Sequence, residues 1–190
     1  MRIPDAAVPE IYVQPGESHL VAEPSILRTV LGSCVGIAFR IPRLGVAALC
    51  HPMLPNYPLQ PLADRSLAAG RRYVDFAIRD LVRQFDSLGA SRAEIEVKLF
   101  GGGDVLLVTN PASRPTVGSL NCRSALKVLR DEGLEVIASS LGGSCGLNLQ
   151  FNSFTGEVRL KRLSVAGTPC FVERSVGRQP YRAGLAEEEQ

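Results

Sequence analysis

The sequence predicts a single domain of the mixed α/β class, and three observations support this prediction. At 190 residues the chain has the length of one ordinary domain. Short apolar runs bounded by glycine and proline alternate with two longer segments of helical periodicity. Hydrophobic residues make up 45% of the chain and charged residues 21%, which is enough apolar material for a sizeable core.

The first part of the chain predicts strands. Segments 11–13 and 25–30 are short apolar runs beside turn residues. In 35–40 large apolar residues alternate, which predicts a strand with one strongly buried face. Segment 45–50 is uniformly small and apolar, as in a central strand covered on both faces. These last two strands would pair antiparallel through a turn at Pro42–Arg43.

The rest of the chain predicts two main helices and further strands. Residues 73–88 and 121–132 place apolar side chains every three or four positions, and a glycine follows each segment. Segments 56–70 and 106–117 contain several prolines and predict loops. Four more strands are predicted, at 95–99, 134–138, 147–151 and 157–163, of which the last two form a hairpin. The total is seven to nine strands, with antiparallel pairing between consecutive ones.

The two ends of the chain predict segments outside the domain. Residues 1–10 predict a flexible N-terminal arm, and residues 173–190 predict a mobile C-terminal tail. No signal-peptide layout begins the sequence, and no window reaches the roughly 20 apolar residues of a membrane span. We therefore expect a cytoplasmic protein without membrane insertion. A net charge of +2, without a basic run among aromatics, gives no reason to expect nucleic acid.

The cysteine pattern excludes two common roles. The five cysteines are odd in number and form no Cys-x-x-Cys pair, so neither a disulfide framework nor a structural zinc site is expected. No metal and no cofactor are predicted. Four of the five are expected to be small buried apolar residues, namely Cys50, Cys122, Cys145 and Cys170.

Cys34 differs from the other four because of its surroundings. It follows Gly32-Ser33 at the start of one predicted strand, and His51 follows the end of the next. Antiparallel pairing brings those two ends together, as a thiol nucleophile and its base must be. Backbone N–H groups of the Gly32-Ser33-Cys34 turn can stabilise an oxyanion. Thr29 carries the nearest hydroxyl beyond Ser33 and is a candidate third group.

Each of these residues also has a structural interpretation. A cysteine in an apolar strand, or a histidine at a strand end, is commonly part of the packing. Thr29 can be an ordinary β-branched strand residue. The run Gly101-Gly102-Gly103 suggests a phosphate-binding loop, but no Lys-Ser/Thr follows it, so we favour a tight backbone loop beside the site. His19 lies in a predicted turn region and is expected at the surface.

Four motifs occur in a defined order and spacing. They are Thr29-x-Leu31-Gly32-Ser33-Cys34-Val35, His51-x-Met53-Leu54-Pro55, the helix beginning at Tyr73, and Phe100-Gly101-Gly102-Gly103. In this order they resemble the chemoreceptor glutamine deamidase family, CheD. Gly142-Gly143 and Thr155-Gly156 are also similar to that family's C-terminal half. The resemblance covers roughly residues 11–165 and marks 11–172 as a CheD-like deamidase domain.

The resemblance implies an α/β sandwich and a hydrolase that converts glutamine side-chain amides to glutamate on bacterial methyl-accepting chemotaxis proteins. It also implies methyl-ester hydrolysis, which is found in some members of the family. Cys34 would form a thioester, His51 would transfer the protons, and Thr29 matches the third active-site residue. The implied partners are the cytoplasmic helices of chemoreceptors and a CheC-type phosphatase.

Two segments depart from the family pattern. Segment 120–124 resembles a Gly-x-Arg-Asn motif but has Asn121 for the glycine and Ser124 for the asparagine, and segment 144–148 lacks the usual arginine. These departures keep open an alternative, a non-catalytic chemotaxis adaptor that binds a CheC-like phosphatase or a receptor. A cysteine peptidase is a third interpretation, for which the sequence offers no orienting Asn or Asp. An activated Cys34 predicts a lowered thiol pKa and fast alkylation.

Overall fold

A computed structural model describes residues 8–58, 64, 66–105, 115–163 and 173–176. This part of the chain forms ten strands and three α-helices. The strands are β1 (Glu10–Tyr12), β2 (Ser18–Val21), β3 (Ile26–Leu31), β4 (Val35–Ile41), β5 (Val46–Cys50), β6 (Glu96–Gly101), β7 (Val136–Leu141), β8 (Gly146–Asn152), β9 (Val158–Leu163) and β10 (Glu173–Val176). The helices are α1 (Leu67–Gly70), α2 (Val74–Ser87) and α3 (Val117–Asp131), and short 3₁₀ turns lie at Pro42–Leu44 and Arg92–Glu94.

The strands form two five-stranded sheets. The first has the order β1-β3-β8-β9-β10 and the second the order β2-β5-β4-β6-β7. Neighbouring strands are antiparallel except for β1 with β3 and β6 with β7, which are parallel. The mixed α/β class and the largely antiparallel sheets predicted from the sequence are confirmed.

The second sheet is the middle layer of a three-layer sandwich. On β4, Ile37 and Phe39 belong to the core shared with α2 and α3, whereas Ala38 belongs to the core between the two sheets. The strand is therefore buried on both faces, where the sequence predicted one strongly buried face. The neighbouring strand β5 is buried at every position, as its small apolar residues predicted.

Both predicted main helices are present. α2 buries Ala77, Ile78, Leu81 and Phe85 against the second sheet, and the Phe85 ring lies 5.6 Å from that of Phe39. α3 begins four residues earlier than predicted, because Thr116 caps it by accepting a hydrogen bond from the Ser119 N–H at 3.1 Å.

Two strands were missed in the sequence. Ser18–Val21 was interpreted as part of a turn region, but it forms β2 and pairs with β5 at the edge of the second sheet. Residues 173–176 fall in the predicted mobile tail, yet they form β10 and pair with β9. In both cases pairing with a strand elsewhere in the chain determines the structure of a segment with little apolar periodicity. Residues 1–7 and 177–190 of the predicted arm and tail, and 106–114 of a predicted loop, lie outside the described residues.

Candidate active site

Cys34 lies on the loop between β3 and β4, and a run of glycines fixes this loop. The Gly102 N–H donates to the Cys34 carbonyl at 2.7 Å, and the Gly103 N–H donates to the Gly32 carbonyl at 2.9 Å. Gly101 has a φ of 95°, and a Cβ there would lie only 2.5 Å from the Cys34 carbonyl oxygen. The glycines thus form a tight backbone loop, and the N–H groups of Gly102 and Gly103 are already used in holding Cys34.

His51 directly follows β5, and its backbone is hydrogen-bonded on both sides. Its N–H donates to the Glu17 carbonyl at 2.9 Å, and its carbonyl accepts from the Gly16 N–H at 2.7 Å. The residue is only 1% exposed. The imidazole is therefore held in the interior beside the second sheet.

Thr29 determines which nitrogen of His51 carries the proton. Its Oγ1 lies 2.8 Å from the Val13 carbonyl oxygen and 2.7 Å from His51 Nδ1. A hydroxyl has a single proton, and a carbonyl can only accept, so Thr29 donates to Val13 and accepts from the Nδ1–H of His51. This assignment leaves Nε2 of the neutral ring unprotonated, with its lone pair available as a base.

The loops that carry Cys34 and His51 are in direct contact. The Val35 N–H, next to Cys34, donates to the carbonyl of Pro52, next to His51, at 3.3 Å. Among the described residues, the buried Nε2 of His51 has no hydrogen-bond partner, so no hydrogen bond joins it to the Cys34 thiol. The structure thus brings together the two loops, and it pairs Thr29 with His51.

Burial shifts the pKa values of both groups toward their neutral forms. It lowers the pKa of the His51 imidazole below 6.5, although the nearby Val13 carbonyl acts in the opposite direction. It raises the pKa of the half-buried Cys34 thiol above 9.0, and a backbone hydrogen bond only partly opposes this effect. The lowered thiol pKa expected from the sequence is therefore wrong for this structure, since desolvation is the larger of the two effects on the thiol.

Two polar residues of α3 that were not predicted as site residues contact these loops. The amide nitrogen of Asn121 donates to the carbonyls of Ser33 and Met53, each at 2.9 Å. The Ser124 hydroxyl donates to the Pro55 carbonyl at 2.5 Å. A sequence signal was available, because Asn121 is a polar residue among the buried positions Gly118, Ala125 and Val128 of one helix face.

A glycine of α3 also contacts the glycine loop. Gly118 packs so closely on the glycine loop that a Cβ there would lie 2.4 Å from the Gly102 carbonyl oxygen. The start of α3 therefore lies directly against the glycine loop beside Cys34.

The other cysteines only partly follow the prediction of small buried apolar residues. Cys50 is fully buried, and burial raises the pKa of its thiol to about 12. Cys122 is partly buried, and burial also raises the pKa of its thiol. Cys145 is disulfide-bonded, which contradicts the prediction, and Cys170 lies outside the described residues. His19 is partly exposed on β2, as expected, and pairs with Glu17 at 3.2 Å.

Within the described ranges, no group of three or more His, Cys, Asp or Glu side chains could hold a metal ion. Within the same ranges, no helix has both the length and the apolar character needed to cross a membrane.

Comparison with known proteins gives consistent results. The profile of the family described as CheD chemotactic sensory transduction matches residues 53–162. The probable chemoreceptor glutamine deamidase CheD 2 of Geobacter sulfurreducens is 43% identical over 157 residues, which are 83% of this chain and 92% of the relative. The probable chemoreceptor glutamine deamidase CheD of Maridesulfovibrio salexigens is 35% identical over 156 residues, 80% of this chain and 91% of the relative. That of Caulobacter vibrioides strain NA1000 is 33% identical over 172 residues, 90% of this chain and 87% of the relative.

Proposed function

The chain belongs to the CheD family of chemotaxis proteins, and on that premise we propose that it is a chemoreceptor glutamine deamidase. It would hydrolyse the side-chain amide of glutamine to glutamate on the cytoplasmic helices of methyl-accepting chemotaxis proteins. The names of its relatives support the activity and the substrate class. The profile match begins after His51, so the roles of Thr29, Cys34 and His51 are proposed from geometry and from the sequence motifs.

The observation that carries the proposal is the hydrogen-bonded pair of Thr29 and His51. Its 2.7 Å contact fixes the tautomer in which Nε2 is a proton acceptor. That nitrogen is buried and has no partner in the described part of the chain, as expected of a base awaiting a substrate. An adaptor would have no use for such an arrangement.

In the proposed first step, the sulfur of Cys34 attacks the carboxamide carbon while Nε2 of His51 accepts the thiol proton. The carbonyl π electrons move to oxygen and produce a tetrahedral oxyanion. We propose the backbone N–H groups of Ser33 and Cys34 as its donors, since neither donates to a backbone acceptor among the described residues. Gly32 and the run Gly101–Gly103 shape this loop.

In the second step, the carbon–nitrogen bond breaks and the His51 imidazolium gives its proton to the departing nitrogen. Ammonia leaves and a thioester on Cys34 remains. Water then loses a proton to Nε2 and attacks the thioester, and the imidazolium returns that proton to the departing sulfur. The net reaction consumes one water, releases ammonia and leaves a glutamate side chain on the receptor, with the thiol and imidazole regenerated.

Mass spectrometry of a receptor cytoplasmic fragment tests the proposal. Incubation with this protein should convert specific glutamines to glutamates, and the Cys34→Ala variant should convert none. Cys50→Ala is the matched control, since that thiol is fully buried in the core, and it should retain deamidation. A receptor left unchanged by the intact protein but bound by it would favour the adaptor.

Two extensions belong to the same proposal. A methyl ester could follow the same steps with methanol as the leaving group, so a methylated receptor fragment forms a second arm of the experiment. A CheC-type phosphatase is proposed as a partner from the family resemblance alone. Co-purification of the two proteins would test that partnership.

A further inference from the structure

Asn121 is a completely buried polar side chain outside the proposed triad. Its amide nitrogen donates to the Ser33 carbonyl and to the Met53 carbonyl, each at 2.9 Å. Ser33 directly precedes Cys34, and Met53 follows His51 by two positions. One amide group of α3 therefore holds both the loop of the proposed nucleophile and the loop of the proposed base.

The orientation of this amide is fixed by chemistry. Carbonyl oxygens only accept hydrogen bonds, so the two hydrogens of the –NH₂ group must face Ser33 and Met53. Besides this bridge, the backbones of the two loops are joined directly by the longer hydrogen bond of 3.3 Å from the Val35 N–H to the Pro52 carbonyl. Asn121 is thus well placed to set the separation of the loops.

The remaining atom of the amide argues against a purely stabilising role. Oδ1 of Asn121 is buried and has no hydrogen-bond partner within the described residues. An unsatisfied buried acceptor opposes folding, and an apolar residue at this position would avoid that cost. Asparagine is therefore better explained by its two donors than by core packing.

We propose that Asn121 is a positioning residue, which holds the Cys34 loop and the His51 loop at the separation that proton transfer requires. The inference rests on the proposed function, since it assigns a role toward that same reaction. Errors of about 1 Å in the placement of reacting groups can cost about 100-fold in rate, so two hydrogen bonds can have a large effect.

Asn121→Asp is the sharpest variant, because it keeps the size of the side chain but replaces the donor with an acceptor that repels both carbonyls. Its kcat for receptor deamidation should fall about 10- to 100-fold while KM changes less than about threefold. Lys127→Ala changes an exposed residue of the same helix and should leave both constants unchanged. Ser124→Ala loosens only the loop of the base and should give a smaller loss.

A second readout needs no receptor, so it separates failure of this inference from failure of the proposed function. The rate of Cys34 alkylation by iodoacetamide is measured with and without His51→Ala, both in the native chain and in the Asn121→Asp variant. In the native chain, removal of the His51 imidazole should slow alkylation at neutral pH about 10-fold; in the Asn121→Asp variant the change should be less than twofold. If His51→Ala has no effect in the native chain, or the same effect in both backgrounds, the inference is overturned.

The two readouts together leave no ambiguous result. Absence of deamidation by the intact protein, with the alkylation coupling present, rejects the proposed function and keeps the positioning role. If Asn121→Asp does not fold, the ¹⁵N signal of the Asn121 amide in the intact protein decides. It should shift when Cys34 is alkylated, and an unchanged signal would reject the inference.

Discussion

The proposed base and the proposed nucleophile of the candidate site are held by different kinds of contact. His51 is fixed through its side chain, by a buried hydrogen bond to Thr29 that in turn leads to the Val13 carbonyl. Cys34 is fixed through its backbone, because the Gly102 N–H donates to its carbonyl and the Gly103 N–H donates to that of Gly32. The base thus has a defined tautomer and direction, whereas the nucleophile has only a defined position.

This difference has a chemical consequence. Burial keeps the imidazole neutral and the thiol protonated, so the resting pair carries no charge. Proton transfer is then expected only when an electrophilic carbon, such as that of the substrate amide, accepts the electrons of the sulfur. Because the thiolate is the nucleophile, Cys34 should react slowly with electrophiles whenever Nε2 of His51 cannot take the thiol proton.

Thr29→Val tests the contact that holds His51, the proposed base, and should have the largest effect. It keeps the shape of the side chain but removes the oxygen that accepts from His51 Nδ1, so the wrong tautomer becomes available. The deamidation rate should fall by about 100-fold or more, within the range of general-base contributions. Thr29→Ser keeps the hydroxyl and should retain activity within about 10-fold. Equal rates for the valine and serine variants would contradict the role of the hydroxyl.

Gly101→Ala tests the contacts that hold Cys34, the proposed nucleophile, and Gly45→Ala is its matched control. Both glycines have positive φ, but a Cβ at Gly101 would lie 2.5 Å from the Cys34 carbonyl oxygen, whereas Gly45 has open space around it. Gly45→Ala should lower the free energy of unfolding by about 1 kcal/mol through backbone strain alone. Gly101→Ala should lower the free energy of unfolding by about 1–3 kcal/mol more than Gly45→Ala, because of overpacking. It should also lower the activity per folded molecule. Denaturant titration and assays of both variants make the comparison, and equal losses would mean that Cys34 is not held by this contact.

The pH dependence of kcat/KM should show the smallest effect. It is also the most specific test, because it reports the protonation states of His51 and Cys34 in one measurement. The free His51 must be unprotonated to act as a base, and its lowered pKa means that activity should persist as the pH falls through 6.5 and decline only below it. The raised pKa of Cys34 should keep the thiol protonated beyond pH 9.0, so the plateau should extend at least that far. An acid limb centred above pH 6.5 would mean that the imidazole pKa is raised. An alkaline limb centred below pH 9.0 would indicate a thiolate–imidazolium pair, and either result would remove the contrast between the two groups.

The sequence predicted what depends on local pattern. Alternation in β4 and the small apolar residues of β5 were sufficient to predict the hairpin that brings the loops of Cys34 and His51 together. The periodicity of α2 predicted a helix that the structure confirms. Such features depend on side chains a few positions apart, which a single sequence displays.

Contacts between distant segments were not predictable in the same way. Thr29 meets the Val13 carbonyl because β1 and β3 run parallel, and nothing in the composition of either segment indicates that pairing. The disulfide state of Cys145 was likewise missed, because bonding depends on proximity in the fold. Asn121 is an intermediate case, since its place on an apolar helix face was visible but its two acceptors were not.

The amide that joins the two loops is synthesised late. Asn121 lies 88 positions after Ser33 and 68 positions after Met53, so the ribosome makes the thiol and the imidazole long before the residue that ties their loops together. Chains emerge from the N-terminus, and contacts of large sequence separation form only when both partners are available. A stalled or truncated chain ending before α3 would carry both reactive groups without their fixed separation. Under the proposed role of Asn121, competence for the reaction is therefore expected only after α3 has been synthesised.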